Sequence, residues 1–391
     1  MTDSPTPAQI ADHLLLPYLN AAVRMYESGY ASRDDIDAGM RFGCGYPTGP
    51  LATVDERGVA AVRDALAARY AESGDPLHRP ADLLERLAAE GSSLAEDSSG
   101  APAPAPELRH DVRRVGVVGT GTMASGIAQV FAQSGYDVVY VGRGDDKVAG
   151  VRAGIEKALD RAVAKGRLDE AGKAEVLGRL SGSTSREDLA DVDLVVEAIA
   201  EDLGVKLDLF ADLDRICRPG AILATTTSSL PITECAKATS RQEWVIGMHF
   251  FNPAPVMKLV EVVTTPATGA DVDETVKALC AKVGKVAVSC SDRAGFIVNA
   301  LLFPYLNDAV RLHESGVPIE AVDAAVKEQL GFPMGPFELL DVVGNDVSLA
   351  IQKELHHEFE EPGLEPAAML EQVVAEGRLG RKTGRGFHDY S

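Results

Sequence analysis

The chain predicts an α/β nucleotide-binding domain set between two small all-helical domains, and three observations predict it. Strand-like apolar runs alternate with helix-like amphipathic runs through the middle of the sequence. A glycine-rich turn joins the first of those strands to the first of those helices. Residues 10–51 return, at roughly half identity, as residues 297–337.

The N-terminal copy of that repeat holds Pro17-Tyr18-Leu19-Asn20, Ala22-Val23-Arg24, Glu27-Ser28-Gly29 and Gly45-Tyr46-Pro47-Thr48-Gly49-Pro50. The later copy holds Pro304-Tyr305-Leu306-Asn307, Ala309-Val310-Arg311, Glu314-Ser315-Gly316 and Gly331-Phe332-Pro333-Met334-Gly335-Pro336. One single-residue gap aligns them. Apolar residues recur at helical spacing in both, so each copy is expected to be a small helical domain. Asp12 stands where the second copy has Asn299, and only the second copy finishes in Gly380-Arg381-Lys382-Thr383-Gly384-Arg385-Gly386-Phe387. Between the first copy and the middle domain, Gly91 to His110 is rich in Ser, Pro, Ala and acid without an apolar face, which reads as an extended spacer. The expected division is residues 1–90 (a degenerate helical copy), 91–110 (linker), 111–291 (nucleotide-binding domain) and 292–391 (helical C-terminal domain).

Arg114–Val118 reads as a buried strand, Thr122 to Ser134 as a helix and Asp137–Val141 as a second strand. Asp145 to about Leu180 is helical, long enough for an inserted hairpin. Leu194–Val196, Ile222–Ala224, Val245–Gly247 and Lys258–Val263 are further strands, giving a mostly parallel sheet covered by helices on both faces. The turn Gly119-Thr120-Gly121-Thr122-Met123-Ala124-Ser125-Gly126 matches G-x-G-x-x-A, the fingerprint of a Rossmann-like fold. Gly119 permits the tight turn, Gly121 lets backbone amides approach a pyrophosphate, and Ala124 lets helix and strand pack closely. The helix start supplies N–H donors and a partial positive charge. An acid usually ends the second strand and bonds the adenosine ribose. Here Gly142 and Arg143 occupy that place, with Lys147 nearby. A 2′-phosphate would meet a cation there instead of a carboxylate, so NADP(H) is favoured over NAD(H). The alternative is that Asp145 or Asp146 replaces the missing acid.

Composition narrows the partners. The chain has 391 residues, 46% of them hydrophobic, and a formal net charge of -21, which argues against a nucleic-acid partner. The five cysteines, Cys44, Cys217, Cys235, Cys280 and Cys290, show neither metal nor redox spacing, as expected of reduced thiols in a cytosolic protein. No apolar run is long enough for a membrane span, and the N-terminus lacks the pattern of a signal peptide. A cytoplasmic protein without a bound metal is expected.

Two polar clusters follow strands of the middle domain: Thr226-Thr227-Ser228-Ser229, and Gly247-Met248-His249-Phe250-Phe251-Asn252-Pro253, the latter leading to Lys258-Leu259-Val260-Glu261. His249 falls where a strand gives way to a loop, the edge at which open parallel sheets bind ligands. Together with GTGTMASGIAQ, VVEAIAEDLGVK, TSSLPITE, GMHFFNPAPVMKLVEVV, RAGFIVNALLFPYLN, GFPMGPFELLD and GRKTGRGF, these segments make residues 113–391 resemble the L-3-hydroxyacyl-CoA dehydrogenase family nearly end to end.

That resemblance implies a pair of 3-hydroxyacyl-CoA dehydrogenase C-terminal-type helical domains and an oxidoreductase acting on an acyl-CoA thioester, 3-hydroxybutyryl-CoA above all. It implies His249 as general base and Glu261 as the carboxylate that orients it, with Ser228 and Asn299 bonded to the reacting oxygen. By the same resemblance Glu201, Lys206, Asn252 and Lys382 belong to the cofactor site, beside Gly119, Gly121, Thr122, Met123, Ala124, Gly126, Gly142 and Arg143. Lys165 matches a CoA contact. The chain departs from the family at Gly142, at Thr226 (usually Asn) and at Ala158 (usually Ser). Helical domains of this family pair in dimers, so the N-terminal copy is expected to pair with the C-terminal one in the same chain, with higher oligomers still open. A leftover duplication exchanged between chains is the alternative. For function the alternatives are a gulonate-type sugar-acid dehydrogenase of the same superfamily and a non-catalytic scaffold.

Overall fold

A computed structural model describes residues 5–97 and 105–391. The first helix starts where its sequence says it should. Thr6 and Gln9 form a reciprocal capping box, with Pro7 in the first turn, and α1 then runs Pro7–Glu27. It is followed by α2 (Arg33–Cys44), α3 (Pro50–Arg57), α4 (Val59–Ser73), α5 (Asp82–Glu90) and the short α6 (Leu94–Asp97). The spacer is thus shorter than composition suggests. Leu94 is fully buried, and Asp55 accepts hydrogen bonds from Leu94 N at 2.8 Å and Ala95 N at 3.0 Å. Residues 98–104 of the expected linker lie outside the described residues.

The middle of the chain builds one eight-stranded sheet: β1 (Arg114–Val118), β2 (Asp137–Val141), β3 (Leu180–Ser183), β4 (Leu194–Glu197), β5 (Ile222–Thr225), β6 (Val245–Phe250), β7 (Leu259–Thr264) and β8 (Val286–Ser291). Its order is β3-β2-β1-β4-β5-β6-β7-β8. Strands β1 to β6 pair in parallel, β7 runs antiparallel to β6, and β8 is parallel to β7. Helices α7 (Thr122–Gln133), α8 (Asp145–Ala164), α9 (Glu170–Gly178), α10 (Leu203–Ile216), α11 (Ile232–Lys237) and α12 (Ala270–Lys282) connect them. The Val- and Ile-rich central strands are buried at every position but Arg114, as strands covered on both faces must be. The expected helical hairpin is α8 and α9. Strands β3 and β8 were not anticipated, because Leu-Ser-Gly-Ser and Val-Ala-Val-Ser-Cys-Ser are polar or mixed, as suits the two sheet edges.

The second helical copy is α13 (Val298–Glu314), α14 (Ile319–Leu330), α15 (Pro336–Val343), α16 (Asn345–Phe359) and α17 (Ala368–Ala375). Contacts divide the chain into two units. One joins the N-terminal helices to Ala294–Ser391, and the other holds the sheet as far as Arg293. Both helical copies therefore belong to a single unit.

Within it the copies share one polar skeleton. Asn20 is fully buried; it donates to Leu77 O and Arg79 O, each at 2.8 Å, and accepts from Ala81 N at 2.9 Å. Asn307 donates to Glu365 O at 2.9 Å and accepts from Ala367 N at 2.8 Å. Arg24 and Arg311 brace the same loop: Arg24 donates to Pro76 O and Arg79 O, and Arg311 to Gly363 O and to Glu365 O, the equivalent of Arg79. Asp37 accepts from Leu51 N, and Asp323 from Phe337 N. Each carboxylate lies so close to the loop that a Cβ on Gly49 or Gly335 would come within 2.2 Å of it, which is why both positions are glycine.

The copies meet around aromatic rings. Tyr46 stacks on Phe332 at 3.7 Å between centroids, and Tyr18 meets Tyr305 edge-on at 6.0 Å. Contacts are reciprocal: a Cβ on Gly45 would touch Pro333 at 3.5 Å, and one on Gly331 would touch Pro47 at 3.7 Å. Position i meeting j while j meets i is the mark of a two-fold. No helix among the described residues is long and apolar enough to cross a membrane.

Candidate active site

The turn after β1 is built for close backbone approach. Gly119 has φ 135°, and a Cβ there would lie 2.4 Å from Ala198 O. Gly121, the N-cap of α7, has nothing within 4 Å of where its Cβ would be, and no side chain caps the helix. The first N–H groups of α7 are therefore left for a ligand. Ala124 is buried, and a Cβ on Gly126 would come 3.1 Å from both Ala254 and Pro255. A cavity of about 620 Å³ opens over this turn, lined by Gly119 to Met123, by Val141 to Arg143, and by Ala198 to Ala200. Its size and its helix N-terminus fit a dinucleotide.

The far wall of the cavity decides what that dinucleotide carries. A Cβ on Gly142 would lie 2.3 Å from Thr120 Cγ2, so the threonine fills the space of the usual acid. Arg143 lines the cavity, and so does Arg186, which sequence reasoning did not single out. Arg186 follows the unanticipated β3 and pairs with Asp212 at 2.5 Å. Among the described lining residues there is no carboxylate. Asp145 and Asp146 sit in the first turn of α8.

The antiparallel turn-back of β7 on β6 places His249 directly opposite Glu261. His249 Nδ1 lies 2.6 Å from Glu261 Oε2, with Glu261 fully buried and His249 8% exposed. A carboxylate oxygen accepts, so Nδ1–H donates to Glu261 and Nε2 is the ring nitrogen turned away from that bond. The Phe251 ring leans on the imidazole at 4.7 Å.

On the same C-terminal edge of the parallel strands, the loop after β5 is held from below. Glu201 accepts from Thr227 Oγ1 at 2.5 Å and from Ser228 N at 2.9 Å, and the Ser228 hydroxyl lies 3.4 Å away. Burial works to raise the Glu201 carboxyl. The Lys206 ammonium and the hydrogen bonds from Thr227 and Ser228 outweigh it and hold the group below its ordinary range. Thr226, in place of the family's usual Asn, accepts from Phe250 N at 3.3 Å and ties this loop to the end of β6.

Lys206 is placed differently from the expectation of a cofactor-site cation. It is 1% exposed and clamped between Glu197 at 2.7 Å and Glu201 at 3.3 Å. Its ammonium thus braces both carboxylates. Glu197, which sequence reading missed, is fully buried and also accepts from Thr225 Oγ1 at 2.6 Å and Ile199 N at 2.7 Å. A glutamate ending an apolar strand was the available signal.

Asn252 is exposed just beyond β6, at a cis bond to Pro253. Lys165 is the C-cap of α8; the 20-residue helix carries it about 30 Å from the cavity edge where that helix begins. Ala158 lies seven residues earlier on the same helix face. Asn299 and Lys382 belong to the helical unit. Asn299 is 7% exposed in the first turn of α13, and Lys382 pairs with Asp346 at 2.6 Å.

Fold and site together define the class of dinucleotide-binding oxidoreductases. Comparison then gives the family: residues 114–293 match the NAD binding domain of 3-hydroxyacyl-CoA dehydrogenase, and the C-terminal domain of that family matches twice, at 10–101 and 295–390. The chain belongs to the 3-hydroxyacyl-CoA dehydrogenase family. It is similar to a 3-hydroxybutyryl-CoA dehydrogenase of Mycobacterium tuberculosis, 45% identical over 282 residues covering 71% of this chain and 99% of that one. It is likewise similar to the human mitochondrial hydroxyacyl-coenzyme A dehydrogenase, 46% identical over 302 residues, 75% of this chain and 96% of that one. The crystal structure of an (S)-3-hydroxybutyryl-CoA dehydrogenase from Ralstonia eutropha superposes with a TM-score of 0.70 at 41% identity, covering 72% of this chain and all of that one.

Proposed function

We propose that this chain interconverts (S)-3-hydroxybutyryl-CoA and acetoacetyl-CoA, with His249 as the general base. The observation that carries the reading is the 2.6 Å His249–Glu261 pair on the ligand-binding edge of a dinucleotide fold. Nε2 takes the proton of the 3-hydroxyl, and the buried Glu261 carboxylate stabilises the imidazolium that results. Ser228 and Asn299 donate to the oxygen on which negative charge develops. When bound, the nicotinamide supplies the acceptor for the hydride.

The cofactor favoured is NADP(H). Gly142 removes the acid that would repel a 2′-phosphate, and Arg143 stands ready to pair with it, while Arg186 adds a second cation to the same wall. On the same reading Lys165 contacts CoA and Asn252 the cofactor. The pairing of the two helical copies stands in for a dimer of two chains.

Absorbance at 340 nm with acetoacetyl-CoA and each reduced coenzyme tests both statements. Turnover is expected with a higher kcat/KM for NADPH, and His249→Ala should lower kcat by about 10²–10⁴-fold. Turnover with a strong NADH preference rejects the coenzyme assignment. A His249→Ala variant at full rate rejects the base.

A further inference from the structure

The glycine that follows β2 is imposed by a neighbouring side chain and not by its own backbone. Gly142 lies outside the left-handed region, so its conformation is open to any residue. Space is what forbids a side chain. A Cβ there would sit 2.3 Å from Thr120 Cγ2 and 3.1 Å from Val148 Cγ2. Thr120 belongs to the turn after β1, so the methyl of one loop occupies the place that the next loop leaves empty. The backbone resists any shift that would relieve the clash. Gly119 N donates to Val141 O at 2.9 Å and Gly142 N to Ser183 O at 3.0 Å, which ties the ends of β1, β2 and β3 together.

The same geometry turns the Thr120 hydroxyl. After Cγ2, the atom of that side chain nearest to the Cβ position is its own Cβ, at 3.7 Å, so Oγ1 points away from Gly142. Oγ1 makes no hydrogen bond among the described residues, and Thr120 lines the cavity of about 620 Å³. Arg143, Thr184 and Arg186 line it as well. Arg186 gives Nη1 to Asp212 at 2.5 Å, which leaves its Nε and Nη2 for a ligand. All four side chains can donate hydrogen bonds, and the two arginines can only donate. Ribose hydroxyls are held best by a carboxylate acceptor, whereas phosphate oxygens accept and call for donors.

We propose that Thr120 selects the coenzyme: its methyl bars an acid from position 142, and its hydroxyl donates to the 2′-phosphate of NADP(H) beside Arg143 and Arg186. The proposal deepens the NADP(H) reading and rests on it.

Two fragments that differ by that phosphate alone, adenosine 2′,5′-bisphosphate and 5′-AMP, test it without turnover. Each is titrated calorimetrically into the full-length protein and its variants. The parent should bind the bisphosphate roughly a hundredfold more tightly, the scale of two or more hydrogen bonds to a charged group. Thr120→Val keeps a methyl over Gly142 and removes only the hydroxyl, and should cut that advantage about tenfold. Gly142→Asp alone should weaken both fragments by about tenfold, because its Cβ overpacks against Thr120. Thr120→Ala/Gly142→Asp should restore 5′-AMP binding and reverse the preference, since the Cβ kept at residue 120 stands at an ordinary 3.7 Å. Thr120→Val, nearly the same shape as the parent, keeps the test open even if the aspartate variants misfold. A folded Thr120→Val with the parental advantage, or a Gly142→Asp that binds 5′-AMP as tightly as the double variant, overturns the role of Thr120 while the parent's advantage still sustains the NADP(H) reading. A parent that binds both fragments equally overturns the NADP(H) reading itself, and the role of Thr120 with it.

Discussion

The two helical copies keep the same skeleton and differ in their chemistry. Asn20 and Asn307 knit the same loop to the same helix, Arg24 and Arg311 share one of their two loop carbonyls, and Gly49 and Gly335 make room for equivalent carboxylates. Asn299 has become Asp12, Val343 has become Arg57, and the tail segment that carries Lys382 has no counterpart in the first copy. The difference separates what folding needs from what a substrate needs. Loop-to-helix bonds made by buried side chains are retained because an unmet buried polar group costs stability in either copy.

The comparison can be broken first at the skeleton. Asn20→Ala and Asn307→Ala should each cost about 3–5 kcal/mol in denaturant unfolding, because each strands several buried backbone groups. A large loss at one site and a negligible one at the other would show that the skeleton is not shared. A sharper contrast comes next. Asn299→Ala should lower kcat by about 100-fold, the scale of losing one donor to a developing oxyanion. Asp12→Ala should leave kcat within about twofold, since it removes only a half-exposed ion pair.

The smallest effect concerns two histidines that the second copy lacks. His13 and His78 are both lowered from 6.5 to about 4, mainly by burial and then by the Arg69 guanidinium. Between those values the unfolded chain takes up protons that the folded chain refuses. Their contribution is complete above pH 6.5 and is lost as pH falls towards 4. Asp308, raised by burial to about 6, works in the opposite sense and recovers part of the loss below that pH. The net change from pH 6.5 to 4.5 should be a loss of about 1–2 kcal/mol after solvent screening of the half-exposed rings. Thermal melts of His13→Gln/His78→Gln across that range should show the slope abolished or reversed. An unchanged slope would place the pH sensitivity elsewhere.

How much of this was legible in the sequence depended on whether the signal was local. The Gly119 turn, the six strands around it and the repeated helices are short-range patterns, and they lie where periodicity puts them. The His249–Glu261 pair was not readable from spacing, since 12 residues separate the two and only the antiparallel β6–β7 register sets them opposite. The family motif supplied that pairing. Other features depend on partners distant in sequence. Leu94 is buried because Asp55, 39 residues earlier, anchors its helix. That Glu197 and Glu201 enclose Lys206 is announced by nothing local. Arg186 reaches the cofactor wall through an edge strand whose Ser-Gly composition conceals it.

The stacked Tyr46 and Phe332 rings belong to one polypeptide, and that changes how their pairing responds to concentration. Two separate chains meeting through such a face would come apart on dilution. Here each ring meets its counterpart at a fixed local concentration, on the millimolar scale for joined modules. Specific activity should therefore hold steady down to the nanomolar protein levels at which a two-chain version would begin to dissociate.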